Sequence, residues 1–180
     1  MCNVSVPLSV QSCWQKTDNM SRLIPLLLSC GKHSGTLTNQ MASATFLQLI
    51  NSISTEQDAT FLASLYKYFT EAVRVIGGPE ALSQQFLDGI IEATKRQLTS
   101  LADKRKSRAA RAQSSNIVDL DREDFSLVEE IEDYALDDMA KTLVMLDPNH
   151  PLLVAVSGVR DLGFNTFDSD EELDEESEDC

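Results

Sequence analysis

Apolar residues recur at three- and four-residue steps along most of this chain, and between residues 55 and 112 they form two clear stripes. Phe61, Leu62, Leu65, Phe69, Ala72, Val73 and Ile76 make the first. Phe86, Leu87, Ile90, Ile91, Thr94, Leu98 and Leu101 make the second. Each spacing puts its residues on one face of a 3.6-residue helix. Gly77-Gly78-Pro79 separates the stripes: Gly77 suits the positive-φ position after a helix end, and Pro79 cannot continue the first helix but can open another. Thr55 followed by Asp58 resembles a capping box. The short connector predicts an antiparallel αα-hairpin whose stripes face one another.

The same period extends to both sides. Upstream, SRLIPLLLSCGK predicts a short buried helix from Ser21 to Gly31 with Pro25 in it or kinking it, and Leu37, Met41, Ala44, Leu47, Ile50 and Ile53 predict the next. Downstream, residues 113–124 read as a polar connection. A helix beginning near Ser126, with Glu129 completing a capping box, then carries Val128, Ile131, Ala135, Met139, Thr142, Leu143 and Leu146 inward until Pro148 stops it. NHPLLVAVSGVRDLGF predicts a short helix that is apolar nearly all round, opened at Pro151 and closed near Gly163. No strand pattern occurs anywhere. Helix follows helix, each one-sided, which predicts an all-α fold: an α-solenoid of HEAT-like antiparallel helix pairs. The expected organisation is a disordered or weakly docked extension over 1–19, about three helix pairs over 20–164, and an acidic disordered tail over 165–180. The last helix then lacks a cover on one flank.

Charge changes this picture in two places. The net charge is −14, but Asp168 to Asp179 holds nine acids and no base, so the body is only mildly acidic. That balance favours basic proteins over nucleic acid as partners. Within the body, ten acids and one base lie between Asp119 and Asp138. On the predicted helix there, Glu129, Glu130, Glu132, Asp133, Asp137 and Asp138 form the face opposite the apolar stripe. Such a face is either merely solvated or kept negative for a basic partner or an intramolecular contact. Lys95, Arg96, Lys104, Arg105, Lys106, Arg108 and Arg111 do the reverse at the end of the preceding helix. A nuclear localisation signal is one reading; a helix C-terminus whose cations suit the dipole and pair with the acids downstream is the plainer one.

Candidate chemistry is sparse. The two histidines, His33 and His150, have no nucleophile or metal-ligand spacing, and His150 before Pro151 reads as a helix-start residue. Phosphate loops and calcium loops are missing from the sequence, so no enzyme activity, cofactor or metal is expected. The four cysteines lack metal or disulfide spacing. Without a long apolar run or a signal-like start, the expectation is a soluble intracellular protein that avoids membranes. Ser169 before Asp170-Glu171-Glu172 fits an acidophilic kinase acceptor.

The order of these segments from about Ser21 to Gly163 resembles part of an importin-beta-family karyopherin, a HEAT-repeat nuclear transport receptor, closest to the importin beta-3 type. The resemblance rests on Pro25-Leu26-Leu27-Leu28-Ser29-Cys30, the Val75-Ile76-Gly77-Gly78 helix end, the long helix running into Lys104 to Arg111, and the acids around Asp119 to Glu132. It covers most of this chain but only a segment of the later half of such a receptor. It implies part of a nuclear import receptor that binds basic cargo proteins or localisation signals, moving between cytoplasm and nucleus. It further implies that Ran GTPase and nucleoporins are partners of the full-length family, and that the acids from Glu129 to Asp138 are the contact residues. Two other classes share these helical features: a non-transport HEAT scaffold, and an acidic chaperone for basic proteins such as histones, acting through the tail.

Overall fold

A computed structural model describes residues 36–114 and 119–163. The predicted 1–19 extension, the helix at Ser21 to Gly31, the acidic tail and Ser169 lie outside the described residues. Five α-helices follow one another: α1 (Thr36–Thr55), α2 (Ala59–Ile76), α3 (Gln84–Ser114), α4 (Asp119–Leu146) and α5 (Leu152–Arg160), with a single 3-10 turn at Pro79–Ala81. There is no strand among the described residues. The fold is an all-α helical solenoid.

Local signals explain most boundaries. Asp58, not Thr55, caps α2: its carboxylate accepts the Phe61 N–H at 2.8 Å, so the expected Thr55 box does not form. At the other end Gly77 has φ 112°, and the N–H groups of Gly77 and Gly78 donate to the carbonyls of Arg74 and Val73. This Schellman pairing satisfies the last carbonyls of α2. His150 starts α5 as expected, its Nδ1 accepting the Leu152 N–H at 3.2 Å. The expected connection over 113–124 is shorter, because α3 persists to Ser114 and α4 already begins at Asp119, with Ser126 inside it. Acids at the start of a helix oppose its positive dipole end, which favours the earlier start.

The packing departs from a simple hairpin. α2 and α3 are consecutive, yet their backbones barely approach; α2 lies chiefly along α4, and α1 along α3. Both pairs are parallel, because partners rise together: Lys67 meets Asp138 and Thr70 meets Thr142, while the Ile50 side chain lies beside Gly89 and the Ile53 carbonyl receives Gln97 Nε2. With α5 against α3, the result is two stacked layers, α1-α3-α5 and α2-α4. The stripes therefore serve two neighbours each. Phe46 of α1 shows how: it meets Phe69 of α2 edge-on and Phe86 of α3 at a tilt, both with ring centroids 5.6 Å apart.

Polar groups inside are matched across the layers. Tyr66 donates to Thr94 Oγ1 at 2.9 Å and Thr94 donates to the Ile90 carbonyl, joining α2 to α3. Buried Gln97 donates to the carbonyls of Ile53 and Glu56, closing the C-terminus of α1. The α1 stripe is rotated from expectation: Phe46, Leu49, Ile50 and Ile53 are buried, whereas Ala44 and Leu47 are exposed. The observed set follows the i, i+3, i+4, i+7 pattern, and the expected one, stepping by three from Met41 onward, drifted off it.

Candidate protein-binding surface

The six acids of α4 do not form one solvated face. Glu129, Glu132 and Asp138 are buried, Asp133 and Asp137 are half-covered, and Glu130 is exposed. Correspondingly, Val128 and Ile131, expected inside, are exposed together with Leu127 and Tyr134, the last two at 59% and 60%. The inward stripe is Glu129, Glu132, Ala135, Leu136, Met139, Thr142 and Leu143, of which Ala135, Met139, Thr142 and Leu143 lie inside as expected. Register explains the exposure. Lys67 is level with Asp138, so the first residue of α2, Ala59, is level with Glu130, and nothing of α2 lies beneath Val128.

What draws Glu132 inward is Arg105 of α3, only 1% exposed. It continues the stripe Thr94, Leu98, Leu101 by one more four-residue step; the basic run pairs with the acids downstream as expected, and what sequence reading overlooked is that Arg105 is buried. All five of its N–H groups are used. Nε donates to Glu132 at 3.0 Å; Nη1 donates to the carbonyls of Val159 and Arg160, both at 3.2 Å; Nη2 donates to Asp133 at 2.9 Å and to the Glu129 carbonyl at 3.2 Å. Arg108 also pairs with Glu132. One guanidinium thus ties α3, α4 and the C-terminal carbonyls of α5, where a cation also suits the helix dipole. Gly163 fits beside it: a Cβ there would lie 3.1 Å from a Glu129 carboxylate oxygen and 3.3 Å from Arg105 Nη1.

The remaining acids have nearby cations as well. Asp137 pairs with Arg160, and Asp138 takes Lys141 at 3.0 Å and Lys67 at 3.8 Å. The hydrogen bond that Lys141 donates to Asp138, and then the Asp138 charge, raise the Lys141 pKa above the usual lysine value. Of the six, Glu130 faces outward with no cation partner among the described residues, where the Tyr134 hydroxyl reaches it at 3.5 Å. The outer face of α4 therefore presents Glu130 and Tyr134 flanked by Leu127 and Ile131, with Asp137 at its edge. Carboxylate beside aromatic and aliphatic surface suits a lysine or arginine with its apolar stem. Among the described residues, no group of side chains could hold a metal ion, and no helix is long and apolar enough to cross a membrane.

The family described as Importin repeat 6 matches residues 61–150, half of the chain. The chain belongs to that family. The match runs from the first turn of α2 to the residue that starts α5, so it spans the parallel α2-α4 layer, all of α3, and the Arg105 pairs to Glu132 and Asp133. No match to the chain is found among curated proteins or among solved structures. This importin-repeat chain is thus a helical-repeat scaffold of the kind found in nuclear transport receptors.

Proposed function

We propose that this chain is part of a nuclear import receptor, of the importin beta-3 type, and that it binds basic cargo or localisation signals on the outer face of α4. It would act in cytoplasm and nucleus, with Ran GTPase and nucleoporins engaged by the larger receptor. The observation that carries the reading is the exposed Glu130–Tyr134 pair, bordered by Leu127 and Ile131, on a scaffold of the importin repeat family. A basic segment laid along it would put a cation against Glu130 and over the Tyr134 ring while its stems cover the apolar residues. Asp133 and Asp137, already facing Arg105 and Arg160, set the edge of the surface. Glu129 and Glu132 support it from within by fixing α4 on Arg105.

The test is titration of a fluorescent lysine-rich localisation peptide at low and raised salt. Binding should weaken with salt, and the double variant Glu130→Gln, Tyr134→Ala should weaken it about tenfold, the scale of one lost cation site. Absence of salt-dependent binding would instead favour a structural scaffold. Binding that disappears when the carboxylates of residues 168–179 are neutralised, while the α4 variant has no effect, would favour the chaperone reading.

A further inference from the structure

The most basic surface of this acidic chain is left without a role by that proposal. Along the exposed side of α3, Lys95, Arg96, Lys104, Arg108 and Arg111 line an open, shallow strip interrupted by one acid, Asp103. Lys95 and Arg108 have carboxylate partners, Glu92 and Glu132. Arg96 and Lys104 do not: they donate to uncharged oxygens, the Ser54 hydroxyl at 3.2 Å and the Gln57 carbonyl at 3.1 Å. Strip cations facing neutral oxygens leave a positive field that an acidic ligand would complete.

The chain itself carries that ligand. We infer that the acidic segment 168–179 docks along the basic strip of α3, covering it in the same molecule. Position and reach support this occupant. The described residues end at Gly163, whose Cβ position is 3.3 Å from Nη1 of Arg105, a side chain that α3 itself extends. From Lys95 to Arg111 the strip is about 24 Å long at 1.5 Å per helical residue. The remaining 17 residues, 164–180, extend to roughly 55 Å at about 3.3 Å each, enough to lie along it. Complementarity is direct, nine acids against the strip's bases, and tethering supplies an effective concentration on the order of millimolar. Docking would shield the strip from outside acidic ligands and leave the Glu130–Tyr134 surface open.

Two measurements on the full chain test this. Carbodiimide coupling at low salt should join carboxylates of 168–179 to Lys95 and Lys104, and high salt should abolish the products. Coupling equally to Lys67 and Lys141, or no coupling, overturns the inference. In an equal mixture of isotopically light and heavy chains the products should be unmixed in mass; mixed products would make the occupant a second copy and overturn docking within one chain. Separately, the full-length variant Glu171→Gln, Glu172→Gln, Asp174→Asn, Glu175→Gln, Glu176→Gln should bind fluorescent oligoglutamate about tenfold more tightly than the unaltered chain. Equal affinity would overturn the inference.

Discussion

Arg105 shows how a single side chain can decide which face of a helix turns inward. Its five donors meet five acceptors on α4 and α5, three of them main-chain carbonyls. A lysine keeps the charge but has only three donors on a compact head. Arg105→Lys is therefore expected to lower the unfolding free energy by about 1–3 kcal/mol, and Arg105→Met by about 3–5 kcal/mol, because methionine leaves Glu132 buried without its main cation. Urea unfolding checks the order. A lysine variant as stable as the parent would show that the carbonyl contacts contribute nothing. The sequence contained the clue, since Arg105 falls on the apolar stripe, but a charge at such a position reads as solvated unless its partners are known.

At the scale of the element, ends were more legible than faces. Gly77, Pro148 and His150 mark boundaries where the structure has them, because capping depends on residues adjacent in the chain. Asp58 belongs to this group although its role was given to Thr55. Replacing Asp58 with Ala should cost about 1 kcal/mol, and Asn, which also caps, only a few tenths. Thermal unfolding followed by helical circular dichroism measures both; equal losses for the two variants would mean the cap hydrogen bond to Phe61 does not matter. The start of the inward face of α4, at Val128 and Ile131, was misassigned for a different reason, whereas Ala135, Met139, Thr142 and Leu143 are buried as expected. Its stripe begins with Glu129 and Glu132, which hydropathy assigns to water, and the apolar Val128 and Ile131 one step away fit a helical period equally well. Val128 is exposed because α2 begins only level with Glu130.

For the molecule as a whole, the junction of the two layers sets an alkaline limit. Tyr66 is fully buried between α2 and α3, and burial pushes its pKa well above the tyrosine value near 10, against a smaller opposite effect from the Thr94 hydrogen bond. Below about pH 10 both folded and unfolded states hold the proton, and stability is unaffected. As pH rises further the unfolded chain ionises first, so stability falls. One of the three tyrosines should accordingly form tyrosinate only together with the loss of helical signal. Tyrosinate absorbance and circular dichroism followed on the same titration check this. Complete ionisation while the helices persist would mean that Tyr66 reaches solvent without unfolding.

What the sequence determined by itself was local: that the chain is helical, where the helices end, and that each has one apolar side. These follow from 3.6-residue periodicity and capping, which act over a few residues. Its resemblance to importin repeats was readable too, because that lies in the order of such elements, and the family match over 61–150 agrees with it at that level. The tertiary structure alone decided that α1 stacks on α3 and α2 on α4, and that half the acidic face is internal. Stacking depends on helix lengths and register between elements distant in sequence. A buried charge becomes favourable only when those elements deliver every partner it needs.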